Sequence, residues 1–401
     1  MKVLIINNIY YPYRIGGAEV SVQVLAEGLK KQGYEVLVIA LGNVKFEQDT
    51  QKDVSFITYP YMEKLWPVVE NRNIISRLAF QYVGDFIKIH ASTNIRRIIH
   101  SFMPDVVHTN NLAGIGSCVW SIVSNLKVPI VHTLRDYYHL CIKQTMYNPN
   151  KSCNCSRQCK MCLITTVVRR IRSSHVNVVV GNSEHILQSH LREGYFKNAR
   201  TDVVSGGLPD SFRLSNRVPT KSVNRVGYLG QIVKTKGVND FINLAYINNS
   251  IEFLIGGDNT SLYASKLQDN NLLHNLKWMG RVDPKEFLDS IDILIVPSKW
   301  HEPLPRVIYE AYSRGVLVVA TKNGGNPSVM DELPKAYRYL YESNNFELMT
   351  STFQKAVSFV ESNDFKPNIL IDHSILFSES NIIDKYCRIY ESVKNFSPKS
   401  K

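Results

Sequence analysis

The 401-residue sequence predicts an α/β protein of two doubly wound, Rossmann-like domains facing a central cleft. Three observations predict it. Residues 291–321 read strand, loop, helix, strand, the half-unit of a parallel sheet. The same alternation recurs in two series, one on each side of the polar, turn-rich stretch 206–222. The chain is also longer than one ordinary hydrophobic core, which favours two domains.

The elements follow in order. Residues 3–8 form the first strand and a long loop ends in Gly16-Gly17. A helix then carries Val22, Leu25, Ala26 and Leu29 at helical spacing, Gly33 stops it, and 35–41 is the second strand. Residues 60–103 read as a helical insertion mixing Trp66, Phe80 and Phe86 with Arg72, Arg77, Arg96 and Arg97. Such a segment suits an ordinary packed helix and also a helix lying on an anionic membrane surface. Strands at 105–110, 129–134 and 176–182 alternate with helices at about 114–125 and 184–192. A cysteine-rich insertion fills about 137–165, and a short strand at 202–205 ends the first domain, 1–205. The second domain, 223–375, places strands at 225–230, 251–256 and 276–280 and helices at about 237–246 and 284–290. There 291–296 is an apolar strand broken by Pro297-Ser298, a helix runs from about 305 to 313, Gly315 ends it, and 316–321 is the next strand. The tail, 376–401, reads as an amphipathic helix packing back on the first domain through Ile382, Ile383, Tyr386, Ile389, Tyr390 and Val393.

Composition bounds the function. The net charge of +12 implies an anionic partner, and without a helix-turn-helix, zinc-finger or RNA-sheet signature a nucleotide or membrane fits better than nucleic acid. No stretch is apolar enough to span a bilayer, and the N-terminus lacks a signal-peptide cleavage site, so a cytoplasmic protein is expected. Cys159 and Cys162 have C-x₂-C spacing, and with Cys153 and Cys155 they admit a structural zinc. The alternative is a reduced insertion whose thiols simply pack.

The chemistry-bearing residues cluster at predicted strand ends, where open α/β sheets bind ligands. Gly16-Gly17 precedes a helix and would let a phosphate approach backbone N–H groups, although such a pair is usually a plain turn. Gln231, Lys234 and Lys236 follow the first strand of the second domain, where lysines can meet a diphosphate or simply face solvent. His108 and His132 sit at or near strand ends, with Asn110, Arg135 and Asp136 beside them. They are either structural histidines or the lining of a polar cleft. Glu302 and Glu310, taken alone, are a loop acid and an exposed helix acid.

Together these pieces resemble a family. Glu302 and Glu310 make E-x₇-E within PSKWHEPLPRVIYEAYSRGVLVVAT, followed by Gly324-Gly325. The GGAE segment, the DVVH and HTLxD strands and the Lys236-Gly237 turn occur in matching order. Across nearly the whole chain the pattern is similar to the retaining glycosyltransferases of family four, with the GT-B fold. The resemblance implies that Glu302 orients a donor sugar, Glu310 binds the nucleotide ribose, and Lys236 neutralises the diphosphate with help from the Gly16-Gly17 loop. It places Gly280-Arg281 beside the base and the helix from Pro305 behind the leaving group. His108 and His132 become catalytic-side residues, and Asn110, Arg135 and Asp136 face the acceptor. Fixed positive charge can replace a divalent ion in such a reaction, so no obligatory catalytic metal is expected.

The chain departs from the family at three places. Gln231 stands where an arginine is usual, and Lys234 or Arg306 can supply that charge. Pro303-Leu304-Pro305-Arg306 replaces a glycine-rich segment, each proline removing an N–H. Asn110 and Arg135 stand where histidines are common. The expected activity is transfer from a nucleotide-diphosphate sugar, UDP-sugar favoured, to a glycan or lipid-linked saccharide in surface polysaccharide synthesis, with peripheral membrane contact. The alternatives are a GT-B-type UDP-sugar epimerase and a catalytically weak sugar-nucleotide-binding scaffold.

Overall fold

A computed structural model of the protein describes residues 1–13, 16–42, 47–51, 54–60, 85, 91–213 and 222–394. The chain divides into two compact units. One comprises Met1–Met146, Cys155–Gly207 and Glu379–Lys401, and the other Tyr147–Asn154 and Leu208–Ser378. Each unit is built on one parallel sheet, so the two-domain α/β reading holds.

In chain order the first unit contributes β1 (Lys2–Ile6), β2 (Glu35–Gly42), β3 (Glu47–Gln51), β4 (Val54–Pro60), β5 (Val106–Thr109) and β6 (Ile130–Leu134). The chain then enters the second unit as an antiparallel hairpin, β7 (Tyr147–Asn148) and β8 (Cys153–Asn154), before returning as β9 (Val178–Gly181) and β10 (Arg200–Val203). The eight-stranded order is β10-β9-β6-β5-β1-β2-β4-β3, parallel except for the edge strand β3. Val3, Leu4, Ile5 and Ile6 are all buried, the continuous apolar run of a strand covered on both faces. The strand order reverses between β1 and β5, which opens a ligand crevice at their carboxyl ends.

Helix Gly17–Lys31 covers this sheet with Val22, Leu25, Ala26 and Leu29. Helix Glu379–Lys394 joins the same cluster through the six residues read from the tail, and Lys31 pairs with Glu379 at 2.5 Å. The helix expected from about 114 begins at Cys118. Its N-terminus is capped from a distance: the buried Asp85 carboxylate accepts from the Ser117 N–H and Oγ, both at 2.7 Å. Most of the insertion expected at 60–103 lies outside the described residues, which there include Asp85 and the helix Ala91–Phe102. The stretch read as a linker carries the short helix Asp210–Arg213, and residues 214–221 lie outside the described set.

The second unit adds β11 (Arg225–Leu229), β12 (Glu252–Gly256), β13 (Leu276–Gly280), β14 (Ile293–Val296), β15 (Leu317–Thr321) and β16 (Tyr339–Tyr341). Their order, β13-β12-β11-β14-β15-β16, is wholly parallel and reverses between β11 and β14. The loops after those two strands carry Lys236 and Glu302.

Candidate functional site

The second unit brings Lys236 and Glu302 together although 66 positions separate them in sequence. β11 runs into a single 3₁₀ turn, Lys234–Lys236, closed by Gly237 at φ 74°. Here only glycine fits: a Cβ would come within 1.9 Å of the Pro297 carbonyl oxygen. That close approach seats Lys236 against the loop after β14. Its Nζ donates to Glu302 Oε2 at 2.6 Å, and Ser298 Oγ donates to Oε1. Glu302 is 5% exposed, so its charge is compensated almost wholly by these two partners.

The Glu302 loop is fixed along its length. Thr321 Oγ1 and Asn323 Nδ2 both donate to the Ser298 carbonyl at 2.8 Å. The Lys299 N–H donates to Thr235 O at 2.8 Å, and its Nζ reaches Asp240 at 3.0 Å. Gly325 N–H donates to Glu302 O at 2.7 Å and Gly324 N–H to His301 Nδ1 at 2.9 Å. A Cβ on Gly324 would lie 2.1 Å from that same Glu302 carbonyl. The hairpin supplies another clamp: Asn154 donates through Nδ2 to Lys299 O at 3.0 Å and accepts from His301 N–H at 2.8 Å.

Pro303, Leu304 and Pro305 lead straight into the helix Arg306–Ser313, capped by Pro305 without a side-chain bond. Glu310 is buried in that helix and accepts from Arg306 Nε at 3.1 Å, one turn earlier. A helix N-terminus and two basic side chains, Lys236 and Arg306, therefore accompany two carboxylates. Gln231, Lys234 and Gly280-Arg281 occupy neighbouring turns beyond β11 and β13. Gly230 N–H bonds Gly256 O at 2.9 Å and Gly257 N–H bonds Gly280 O at 2.8 Å, tying these turns in a row. Arg281 pairs with Asp258 at 2.5 Å on the surface.

The first unit places its own candidates at its sheet reversal. Gly16 caps helix Gly17–Lys31, and its N–H is already engaged by Glu19 Oε2 at 2.8 Å, so an anion would meet the amides that follow it. Asn110 is 1% exposed and accepts from Arg135 Nε at 2.8 Å, while its Nδ2 has no partner among the described residues. Asn8, whose N–H bonds Asn111 O, has an unpartnered buried Oδ1 as well. Asp136 is mostly enclosed, and burial raises its carboxyl to about 6 against the opposing Tyr138 N–H bond.

His108 and His132 are not crevice-lining residues in the structure; they lie inside the sheet, 0% and 1% exposed. His108 Nδ1 meets Tyr390 OH at 2.6 Å and Nε2 meets Thr133 Oγ1 at 2.8 Å, and burial lowers its pKa to about 3. His132 bonds Thr109 Oγ1 at 2.9 Å and His139 Nε2 at 3.0 Å and stacks on Phe196. Burial likewise holds His132 and His139 well below the usual range and lowers His190 to about 4.

Among the described residues no group of three or more His, Cys, Asp or Glu side chains is gathered as a metal-ligand set, and the zinc expectation at Cys153, Cys155, Cys159 and Cys162 stays an expectation. Cys153 lies on the hairpin of the second unit. The buried Cys162 shares thiol hydrogen bonds with Cys141 and Cys159. That contact lowers Cys141 to about 6 and pushes Cys162 up. Sequence reasoning missed Ser298 and Asn154. Ser298 was readable as the residue after a strand-breaking proline; Asn154 carries no local signal.

The family described as Glycosyltransferase Family 4 matches residues 15–212, and the one described as Glycosyl transferases group 1 matches residues 213–362. An "Uncharacterized 42.6 kDa protein in cps region" of Klebsiella pneumoniae is 28% identical over 98% of this chain and 100% of its own length. Sucrose-phosphate synthase from Thermosynechococcus elongatus superposes with a TM-score of 0.75 at 15% identity, over 98% of both chains. Anabaena HepE in complex with UDP-glucose does so with a TM-score of 0.67 at 16% identity, over 98% of this chain and 100% of that one.

Proposed function

Because the chain belongs to the family-four glycosyltransferases of GT-B fold, we propose that it moves a sugar, with retention, from a nucleotide-diphosphate sugar to a glycan or lipid-linked saccharide in surface polysaccharide synthesis. A UDP-sugar is the favoured donor, in line with the UDP-glucose held by the Anabaena neighbour. The relative encoded in a cps region supports the polysaccharide context.

The Lys236–Glu302 pair at the sheet reversal carries the reading. Departure of the sugar leaves negative charge on the diphosphate. Lys236 and the N-terminus of helix Arg306–Ser313 stabilise that charge as it develops, without reorganising. Glu302 accepts from donor-sugar hydroxyls and Glu310 from the ribose. They are not an acid–nucleophile pair of the hydrolase kind. Until donor arrives, Glu302 and Ser298 hold each other and Lys236 in register. Gln231, Lys234 and Gly280-Arg281 border the nucleotide, and Asn110, Arg135 and Asp136 meet the acceptor in the first unit.

Glu302→Ala is expected to abolish transfer while leaving the melting temperature within a few degrees of wild type. Undiminished transfer by that variant would overturn the site assignment. Interconversion of a free UDP-sugar without acceptor would instead identify an epimerase.

A further inference from the structure

Helix Lys160–Arg172 of the first unit is built inside out. A helix on a water-soluble protein turns its apolar stripe inward and its charges outward. Here the inward residues are Cys162, Thr166 and Arg169. Each is polar and satisfied: Cys162 by neighbouring thiols, Thr166 by Gln158 at 3.0 Å and Tyr195 at 2.8 Å, and Arg169 by Asp85 at 2.6 Å. The outward residues are apolar. Met161, Ile164 and Ile171 are 60%, 72% and 65% exposed, and Leu163 and Val167 are partly exposed beside them. Positions 161, 164 and 171 share one side of the helix, so these side chains form a single stripe rather than scattered contacts.

The charges of this stretch have one sign. No aspartate or glutamate lies between Asp136 and Glu184, whereas Lys143, Arg157, Lys160 and Arg170 fall in that interval within the first unit. Lys160 and Arg170 are exposed on the helix itself. A second copy of the chain would set this cationic rim against its own like, so self-association through the face is opposed. A bilayer with anionic headgroups meets both halves of the pattern: its acyl boundary receives the apolar stripe, and its phosphates attract the rim.

We propose that helix Lys160–Arg172 docks the protein on an anionic membrane surface. Met161, Ile164 and Ile171 enter the acyl boundary, and Lys160 and Arg170 meet the headgroups. The proposal is independent of the membrane contact expected at 60–103, and it stands apart from sugar transfer because binding is read without nucleotide or acceptor.

The test is sedimentation of the full chain with vesicles of phosphatidylcholine alone or of phosphatidylcholine with one-quarter phosphatidylglycerol. Wild type is expected to bind the anionic vesicles at least about tenfold more tightly at low salt, roughly one basic contact's worth or more, and to release them as salt rises. The double variant Ile164→Glu, Ile171→Glu should lose about tenfold or more of that binding with an unchanged circular-dichroism melt. Leu272→Glu, at a 90% exposed leucine of the second unit, should lose nothing. Absence of wild-type binding to either vesicle, or full binding by the double variant, overturns the proposal. So does a wild-type dimer in light scattering that the double variant dissociates without any vesicle binding.

Discussion

Lys236 and Glu302 hold each other at 2.6 Å with the carboxylate buried and the ammonium side chain one-quarter exposed, so removing either strands the other. Lys236→Ala leaves Glu302 with the Ser298 hydroxyl as its hydrogen-bonding side chain. Discounted for the exposure of Lys236, the cost is about 1–3 kcal/mol of stability, read as a lower urea midpoint. Transfer should fall far more, by on the order of 10² or greater, because the lost charge also faces the leaving diphosphate. Lys236→Arg should keep stability but not full rate, since a planar fork replaces a point charge. Gly237→Ala is a sharper structural prediction. A positive φ and a Cβ at 1.9 Å from Pro297 O together should cost more than about 2 kcal/mol, and a melting curve unchanged from wild type would contradict the described turn.

At the scale of elements, the hairpin β7–β8 acts on the Glu302 loop through one side chain. Asn154→Ala removes both amide bonds to Lys299 and His301, so the loop should loosen and kcat/KM for donor should drop about tenfold. Asn154→Asp keeps the acceptor for the His301 N–H and should recover part of that loss, which a mere change of packing would not produce. Elements of this kind explain what was legible. β11, β14 and β15 and the helix between the last two announce themselves, because a buried parallel strand is a continuous apolar run bounded by Pro or Gly. The helix Phe346–Glu361 went unread, although Met349, Phe353, Ala356 and Val360 recur at helical spacing. β3 was not legible: its polar EQDTQ is recognisable as a strand only by its pairing with β4. Glu302, Glu310 and Lys236 stood out through the family resemblance and not alone, whereas the clamp from Asn154 and the cap from Asp85 are long-range and leave no pattern. The histidines misled because a strand-end position in sequence does not say which face of the sheet a ring occupies.

Across the whole molecule, pH couples to the buried imidazoles of the first unit. His108, His132, His139 and His190 have folded pKa values depressed below 6.5, so the unfolded chain takes protons that the folded chain refuses. Their contribution is present above about pH 6.5 and is lost as pH falls toward 4. Asp136, raised to about 6, works in the opposite direction over the lower part of that window, but it is one group against four. The melting temperature should therefore decline as pH falls from 6.5 to 5; a rise on acidification would contradict the burial of these rings. The +12 charge is the other global property, and it fits both a nucleotide-diphosphate ligand and a lipid surface. The central claim, a nucleotide-sugar site at the β11–β14 reversal, is tested most directly by calorimetric titration of UDP, GDP and ADP into wild type and Lys236→Ala. Saturable binding of one nucleotide, UDP in this account, that weakens at least about tenfold in the variant is the predicted result. Binding of none of the three, or equal binding by both proteins, would contradict it.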